Sequence, residues 1–499
     1  MRSVGSDHGE DRDTHRDTRR DRVSIGSMIV GSSQTAARPR GSASRVVVLT
    51  DDVLTAKMAG PAIRAWHVAH ALARKHDVVL ATTSELCDVT SPHFSVESAD
   101  GARVAELERW CDVAIMQGYL LHTVPGLRGS RKVLVFDLYD PLHLEALELT
   151  RGDPEPERSV NVANTVRTLE EQLVRGDFFV CASDKQRDLW LGFLAALGRV
   201  NPATYEDDPT LRRLIDVVPF GLPDEPPVHT RAALRGVVPG IGPDDDVVIW
   251  GGGLYDWFDP ATLIRAIDKL RVARPRIRLF FLGTRHPKPD IVESTVATEA
   301  RLLADTLGLT GTHVFFNDGW VDYHDRQNYL LEADVAVSLH LEHLETMYSF
   351  RTRMLDYLWA GLPIVATAGD GFAEIISAHG IGTVVPGEDA DAVVDALGDL
   401  LGDRSGRAAR RRRAAAVAAG FRWSVVLEPL LSFCADSRHA PDGPGWPGEG
   451  EPSLPAPEAP GPGGLGPDLG RVVALYRQGG ARAVVGGVGR RLGQLLRRR

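Results

Sequence analysis

The densest run of chemistry-bearing residues in this chain is HLEHLETMYSFRTRMLDYLWAGLPIVATAGDGFAEII, which sets Glu345, Arg351, Arg353 and Asp356 close together just before an apolar stretch that reads as a buried strand. Charges at that density on a nearly covered segment need partners. Either Arg353 pairs internally with Asp356 or Glu345, or the arginines act as planar fork donors to a phosphate while a carboxylate accepts from sugar hydroxyls. A second candidate is WGGGLYDWFDP, with Gly251, Gly252 and Gly253 in succession. Consecutive glycines let a ligand approach the backbone and let amides cradle an anion; the alternative is a tight turn with Trp257 and Phe258 packed beneath it. A third is Gly60 in TDDVLTAKMAGPAIRAWH, ahead of a helical run whose first amides attract phosphate, or a glycine that only serves a turn. His122 in MQGYLLHTVPG, and Asp140 with His143 in DLYDPLHLE, follow apolar runs. They either line the other side of a cleft or are structural.

Positioning these residues takes two rounds of alternating strand and helix. VVVLT is a β-branched run, IRAWHVAHALARKH repeats apolar residues at helical spacing, and HDVVLATTSE is strand-like again. CDVAIMQGY, KVLVFDLYDP, the helical VANTVRTLEEQLVRG, DFFVCASDKQRDLWLGFLAAL and IDVVPFGLP continue the alternation. After PGIGPDDD the rhythm restarts with VVIWGGG, PATLIRAIDKLRVA, RIRLFFLG, VATEARLLADTLG, HVFFNDGW, DRQNYLLEA and DVAVSLHL. A helix is then expected from an N-cap at Ser349 to Gly361, followed by the strand LPIVAT. The pattern predicts an α/β protein of two doubly wound Rossmann-like domains facing across a cleft, with disordered tails at both ends. Residues 1–44 read as a leader, 45–220 as an N-terminal acceptor-side domain, and 221–425 as a C-terminal donor-side domain. Residues 426–438 read as a C-terminal helix, 439–468 as a Pro/Gly-rich linker, and 469–499 as a basic tail. Ligands of such sheets bind outside the strand carboxyl ends, so the cleft is the expected site.

Composition narrows the function. Residues 1–44 carry +2 and residues 469–499 carry +8 of a chain with net charge −10, which leaves −20 for residues 45–468. An acidic body argues against nucleic acid as a partner. No apolar run approaches the roughly 18 residues that span a bilayer, and the N-terminus MRSVGSDHGEDRDTHRDTRRDR is charged where a secretory signal is apolar, so cytoplasmic residence is expected. The tail GRVVALYRQGGARAVVGGVGRRLGQLLRRR interleaves Val and Leu with Arg. It is either a solvated basic tail or a peripheral contact with the anionic inner face of the cell membrane. Cys87, Cys111, Cys181 and Cys434 lie far apart and read as free thiols. Asp244 to Asp246 fall in a loop ahead of a strand, so no metal site is expected.

The order of elements, IDVVPFGLP, VVIWGGGL, and LDYLWAGLPIVATAGDGFAEII followed by GIGTVVPGED resemble the retaining glycosyltransferases of family 4, the glycosyl transferases group 1, over residues 45–436. The resemblance implies the GT-B fold. In that family an acid, seven residues and a second acid precede small residues, Gly, any residue, Pro and a strand, with a Gly and a Glu beyond. Asp356 takes the place of the second acid, Gly361 and Pro363 follow at the family spacing, and Glu374 falls on the later acid. Tyr348 stands where the first acid would, with Glu345 as the nearest substitute, and Asp256, Trp257, Phe258 and Asp259 occupy the stretch that usually supplies a lysine to the donor pyrophosphate. The resemblance therefore assigns the positive charge to Arg351 and Arg353, with Arg285 and Lys288 as further candidates. It implies that Asp356 accepts from the ribose and that Glu345 or Glu374 holds the transferred sugar. The catalytic set it implies is Arg351, Arg353, Glu345 and His122. The donor-binding set is Gly60, Gly252, Gly253, Asp356 and Glu374. The co-substrate is a nucleotide-diphosphate sugar, with no separate cofactor. The acceptor is a saccharide, a lipid-linked glycan or a small molecule, and the departing phosphate takes the acceptor proton on the retained face. Alternatives on the same fold are a nucleotide-sugar epimerase and a non-catalytic nucleotide-sugar-binding or scaffold protein.

Overall fold

Alternate residues of VVVLT enter opposite layers, Val46 and Val48 joining one apolar cluster and Val47 and Leu49 another. That two-sided burial is what a parallel sheet covered by helices on both faces requires. The computed structural model of the chain describes residues 43–288, 291 and 293–443. The leader through residue 42, most of the Pro/Gly-rich segment and the basic tail lie outside them.

The first sheet has seven parallel strands: β1 (Arg45–Thr50), β2 (Asp77–Thr82), β3 (Ser95–Ser98), β4 (Val113–Gln117), β5 (Val133–Asp137), β6 (Phe178–Cys181) and β7 (Ile215–Val217). They lie in the order β3-β2-β1-β4-β5-β6-β7. The second sheet has six: β8 (Asp246–Trp250), β9 (Ile277–Phe281), β10 (Val314–Phe316), β11 (Val335–Ser338), β12 (Ile364–Thr367) and β13 (Thr383–Val385). Their order is β10-β9-β8-β11-β12-β13. Both are doubly wound, as the sequence predicts. Strand order reverses between β1 and β4 in the first sheet and between β8 and β11 in the second, so the crevices for ligands open at the ends of those pairs. The sequence reading passes over β3, whose SVES is a half-exposed edge with no apolar run to announce it.

The chain crosses between domains twice. Leu222 N–H donates to Phe421 O at 2.7 Å and Trp423 N–H donates to Leu222 O at 2.9 Å, so the two crossings are hydrogen-bonded side by side. Gly221 is fixed by this approach, since a Cβ there would meet the Trp423 ring at 2.3 Å. A single apolar cluster runs from Val46 and Val48 through Phe220, Trp423 and Leu427 to Ile364 and Ala366, joining both domains. The helix Glu428–Ala435 returns to the first domain, where Phe433 stacks on Phe178 with centroids 4.3 Å apart.

Residues 439–443, expected to begin a flexible linker, are instead packed. Asp442 pairs with Arg199 at 2.8 Å, with side-chain exposures of 1% and 8%, and Ala440 N–H donates to Asp177. A buried pair of this kind satisfies groups that composition alone does not reveal. All four cysteines are free, and no helix among the described residues is long and apolar enough to cross a membrane.

Removing Asp442 strands a buried guanidinium, which costs about 3–5 kcal/mol. Asp442→Ala is therefore expected to lower the free energy of urea unfolding by that amount, read as a lower midpoint at unchanged slope. A loss under about 1 kcal/mol in the same titration would show that this segment does not anchor the fold.

Candidate active site

The two crevices open onto one cavity of about 1410 Å³. Its first-domain wall includes Asp51 and Asp52 after β1, Gly60, and Asp137 to Asp140 after β5; its second-domain wall includes Gly253 to Phe258 after β8, Lys288, Glu345, Arg351 and Arg353. The site is thus built at the positions where doubly wound sheets bind ligands.

The expected single helix from Ser349 is two helices, Leu344–Tyr348 and Thr352–Ala360. Ser349 caps the C-terminus of the first, and Arg351 stands at the N-cap of the second. The break aims Arg351 and Arg353 into the cavity wall while Met354, Leu355 and Leu358 remain in the core. Gly361 ends the second helix at φ 69°, a left-handed conformation that favours glycine.

Helix Thr352–Ala360 grips the glycine loop by two side chains one turn apart. Tyr357 Oη accepts from Gly251 N–H at 2.7 Å and donates to Val337 O at 2.9 Å. Arg353 Nη2 donates to Gly253 O at 2.7 Å. Between them Gly252 takes φ 78°. The Gly251 amide is therefore engaged by a phenol and is not offered to an anion; Gly253 stands in the cavity wall and Gly252 does not. Burial pushes the Arg353 guanidinium down to about 10, which leaves it charged at neutral pH. Its carbon lies 4.0 Å from the ring centroid of Phe258 and 5.0 Å from that of Trp250.

Arg351 is also buried, and it is held bidentately: Nη1 and Nη2 donate to the two carboxylate oxygens of Glu345 at 2.9 and 2.7 Å. Its carbon sits 5.0 Å from the Phe258 ring. One aromatic ring therefore seats both cations, an arrangement that stabilises guanidinium in dry surroundings. Nearby, burial and then Arg351 push the His340 imidazole down to about 3, so it is neutral at neutral pH, and burial raises the Asp370 carboxyl. Arg351 Nε and Arg353 Nη1 are buried with no hydrogen-bond partner among the described residues. Two guanidinium groups standing in the wall of one cavity suit that wall to an anionic ligand.

The other expected site residues divide. Glu345, expected to hold the transferred sugar, lines the cavity, and both its oxygens accept from Arg351, so that it is the counter-ion of that arginine. Asp356 is not in the cavity wall, and its Oδ1 accepts from Arg326 Nε at 3.0 Å. Three positions along a helix place it about 60° from Arg353, enough to turn it off the cavity. Glu374 also lies off the cavity, 74% exposed and paired with Lys185 of the first domain at 3.0 Å. His122 pairs with Arg128 at 2.9 Å away from the cavity, and His143 is buried outside it. Arg285 is exposed, whereas Lys288 spans the cleft, its Nζ donating to Asp51 O at 2.9 Å. Gly60 and Asp140 are in the wall.

Several residues that matter here are missed by the sequence reading. Gln186 Nε2 donates both to Tyr139 O and to Tyr348 O at 2.8 Å, bridging the domains. Trp320 Nε1 donates to Met58 O at 3.0 Å, also across the cleft. Neither carries a sequence signal, because a side-chain bond to a backbone carbonyl depends only on place. Tyr357 does carry one, since it lies four residues after Arg353 and shares its helix face.

Residues 245–403 match the family model described as glycosyl transferases group 1. A D-inositol 3-phosphate glycosyltransferase of Mycobacterium avium is 31% identical over 207 residues, which are 40% of this chain and 44% of that protein. A GDP-mannose-dependent alpha-(1-6)-phosphatidylinositol monomannoside mannosyltransferase of Mycolicibacterium smegmatis is 30% identical over 194 residues, 37% of this chain and 44% of that protein. The chain thus spans less than half the length of these curated relatives. Among solved structures, sucrose-phosphate synthase from Thermosynechococcus elongatus superposes with TM-score 0.55 at 16% identity, covering 78% of this chain and 98% of that one. HepE of Anabaena, in complex with UDP and glucose, superposes with TM-score 0.57 at 13% identity, covering 79% of this chain and all of the other. Over residues 245–403 the chain is thus similar to the glycosyl transferases group 1, and its two parallel sheets have the GT-B fold.

Proposed function

We propose that this protein transfers a sugar, with retention, from a nucleotide-diphosphate sugar to a saccharide, lipid-linked glycan or small-molecule acceptor. The observation that carries the reading is the pair Arg351 and Arg353, two guanidinium groups seated on one ring in the wall of the cavity of a domain similar to the glycosyl transferases group 1. The printed names of the relatives support it, since they are glycosyltransferases, one of them dependent on GDP-mannose.

The chemistry follows from the bond that breaks. As the glycosidic C–O bond to the diphosphate lengthens, negative charge grows on the departing oxygens and the sugar becomes oxocarbenium-like. Arg351, fixed by Glu345, and Arg353, fixed by Gly253 O, are preorganised where that charge develops, so they stabilise the transition state more than the ground state. The acceptor enters from the first-domain wall, which carries Asp51, Asp140 and Glu145, whereas the Asp137 carboxylate there is paired with Arg64. Its proton passes to the leaving phosphate on the same face, so no protein nucleophile is needed. The reaction belongs to the cytoplasmic side, with the arginine-rich tail as a peripheral contact for anionic lipid.

In a thermal-shift panel of nucleoside diphosphates and nucleotide sugars, one base is expected to stand out, since ligand at 100 times its Kd adds about 2.7 kcal/mol. No shift with any member overturns the reading. With the donor in hand, Arg353→Lys keeps a charge but loses the fork. It is expected to lower kcat about 10²-fold while nucleotide affinity falls less than about tenfold, because the interaction strengthens as the bond breaks. Equal losses in kcat and affinity would favour a binding protein.

A further inference from the structure

The two walls of the cavity differ in charge. Among the described residues the second-domain wall is balanced, with Lys288, Arg351 and Arg353 against three acidic side chains. The first-domain wall carries eight acidic side chains and one basic one, Arg151. Two of the eight are paired, Asp137 with Arg64 and Glu148 with Arg151, which leaves the wall strongly negative. Both walls act on one group: burial raises the Tyr255 phenol, the Arg353 charge opposes that shift, and Asp52, Glu145 and Asp140 add to it. At about 1410 Å³ the cavity exceeds the roughly 300–1,000 Å³ of ordinary ligand sites, so a second molecule fits beside a donor.

Two glutamines stand in the acidic wall where β4 and β5 end side by side, Gln117 lying in register with Asp137. Gln117 is 6% exposed and Gln172 is 2% exposed. Gln117 Nε2 donates to Thr50 Oγ1 and to Pro61 O, both at 2.9 Å, and Gln172 Nε2 donates to Gly118 O at 2.6 Å. A backbone carbonyl only accepts, so these bonds fix which end of each amide is nitrogen. Each side chain keeps an Oε1 that accepts no hydrogen bond among the described residues and is not sealed from solvent. A carboxylate has about four acceptor positions, so the acids also accept from a ligand while bonded to the protein. What binds this wall must therefore bring donors, and a positive charge is matched where a phosphate is repelled. Among the described residues no three carboxylates or imidazoles converge as a metal ion requires, so the wall suits a cation carried on a larger molecule.

We propose that the acceptor is an amine-bearing polyol, an aminosugar or aminocyclitol, whose ammonium group lies against Asp140 and Glu145 and whose hydroxyls donate to Gln117 Oε1 and Gln172 Oε1. The assignment rests on the reading of the cavity as a nucleotide-sugar site. In the transfer the C–O bond from the sugar to the diphosphate breaks and a bond from the same carbon to an acceptor hydroxyl oxygen forms. That hydroxyl's proton goes to the departing phosphate, and the ammonium stays protonated throughout.

The test compares glucosamine and glucose 6-phosphate with glucose, and 2-deoxystreptamine with myo-inositol. Calorimetric titrations of the full chain, saturated with the nucleoside diphosphate it binds best, give a Kd for each. In at least one pair the amine is expected to bind about tenfold or more tighter than its neutral counterpart, as a charge-assisted hydrogen bond predicts, and glucose 6-phosphate more weakly than glucose. Asp140→Asn with Glu145→Gln removes the charge at constant shape. It is expected to bring that preference below about twofold while the nucleoside diphosphate Kd stays within about twofold; an unchanged preference overturns the placement of the ammonium. If the double variant does not fold, the wild-type comparison carries the test. No preference for the amine in either pair, or tighter binding of glucose 6-phosphate, overturns the acceptor assignment and leaves the enzyme reading intact. A wild-type chain that binds no nucleoside diphosphate overturns the enzyme reading itself, and the acceptor assignment with it.

Discussion

The second-domain wall of the cleft depends on helix Thr352–Ala360 holding the glycine loop at both ends. A triple-glycine loop has more conformational freedom than any other three residues and gains the least from side-chain packing. Here Tyr357 takes its first amide and Arg353 its last carbonyl, from one face of one helix. The loop is consequently a rigid part of the wall, and the guanidinium that restrains it is the same one that faces the cavity. Burying that charge is costly in itself. The cost is offset by the carbonyl dipole and by the faces of Phe258 and Trp250, and a bound anion would offset it further.

A division of labour follows between two buried cations. Arg351 has a full carboxylate partner and is electrically balanced before any ligand arrives. Arg353 has only a carbonyl and aromatic rings, which explains why burial depresses it so far. The balanced arginine supplies geometry, and the unbalanced one supplies most of the field. Glu345 belongs to this division as the group that prevents two adjacent guanidinium ions from repelling each other out of position.

Much of the fold is legible in the sequence because β-branched runs alternate with helical periodicity, and burial on both faces demands those runs. The glycine loop, the stop at Gly361 and the arginine pair are legible for the same reason: each is a residue type that few other environments tolerate. What escapes is decided by angle or by contact. Asp356 matches a family spacing, yet a turn of the helix points it at Arg326. Glu345 is the partner of Arg351, a pairing that spacing alone does not reveal. The strand β3 is polar because it is an edge, and the SFR segment breaks a helix without proline or glycine to mark it. Asp442, hidden in a Pro/Gly-rich stretch, is buried only because Arg199 waits for it.

The paired crossings at Leu222 and Trp423 bear on how the two domains are held about the cleft. Two domains on one tether can swivel, slide and separate. Two domains joined by two crossings that are hydrogen-bonded to each other are restrained at both. The junction is then the stiff spine of a book. Lys288, Gln186 and Trp320, each reaching from one domain to a backbone carbonyl of the other, are further ties between the two halves.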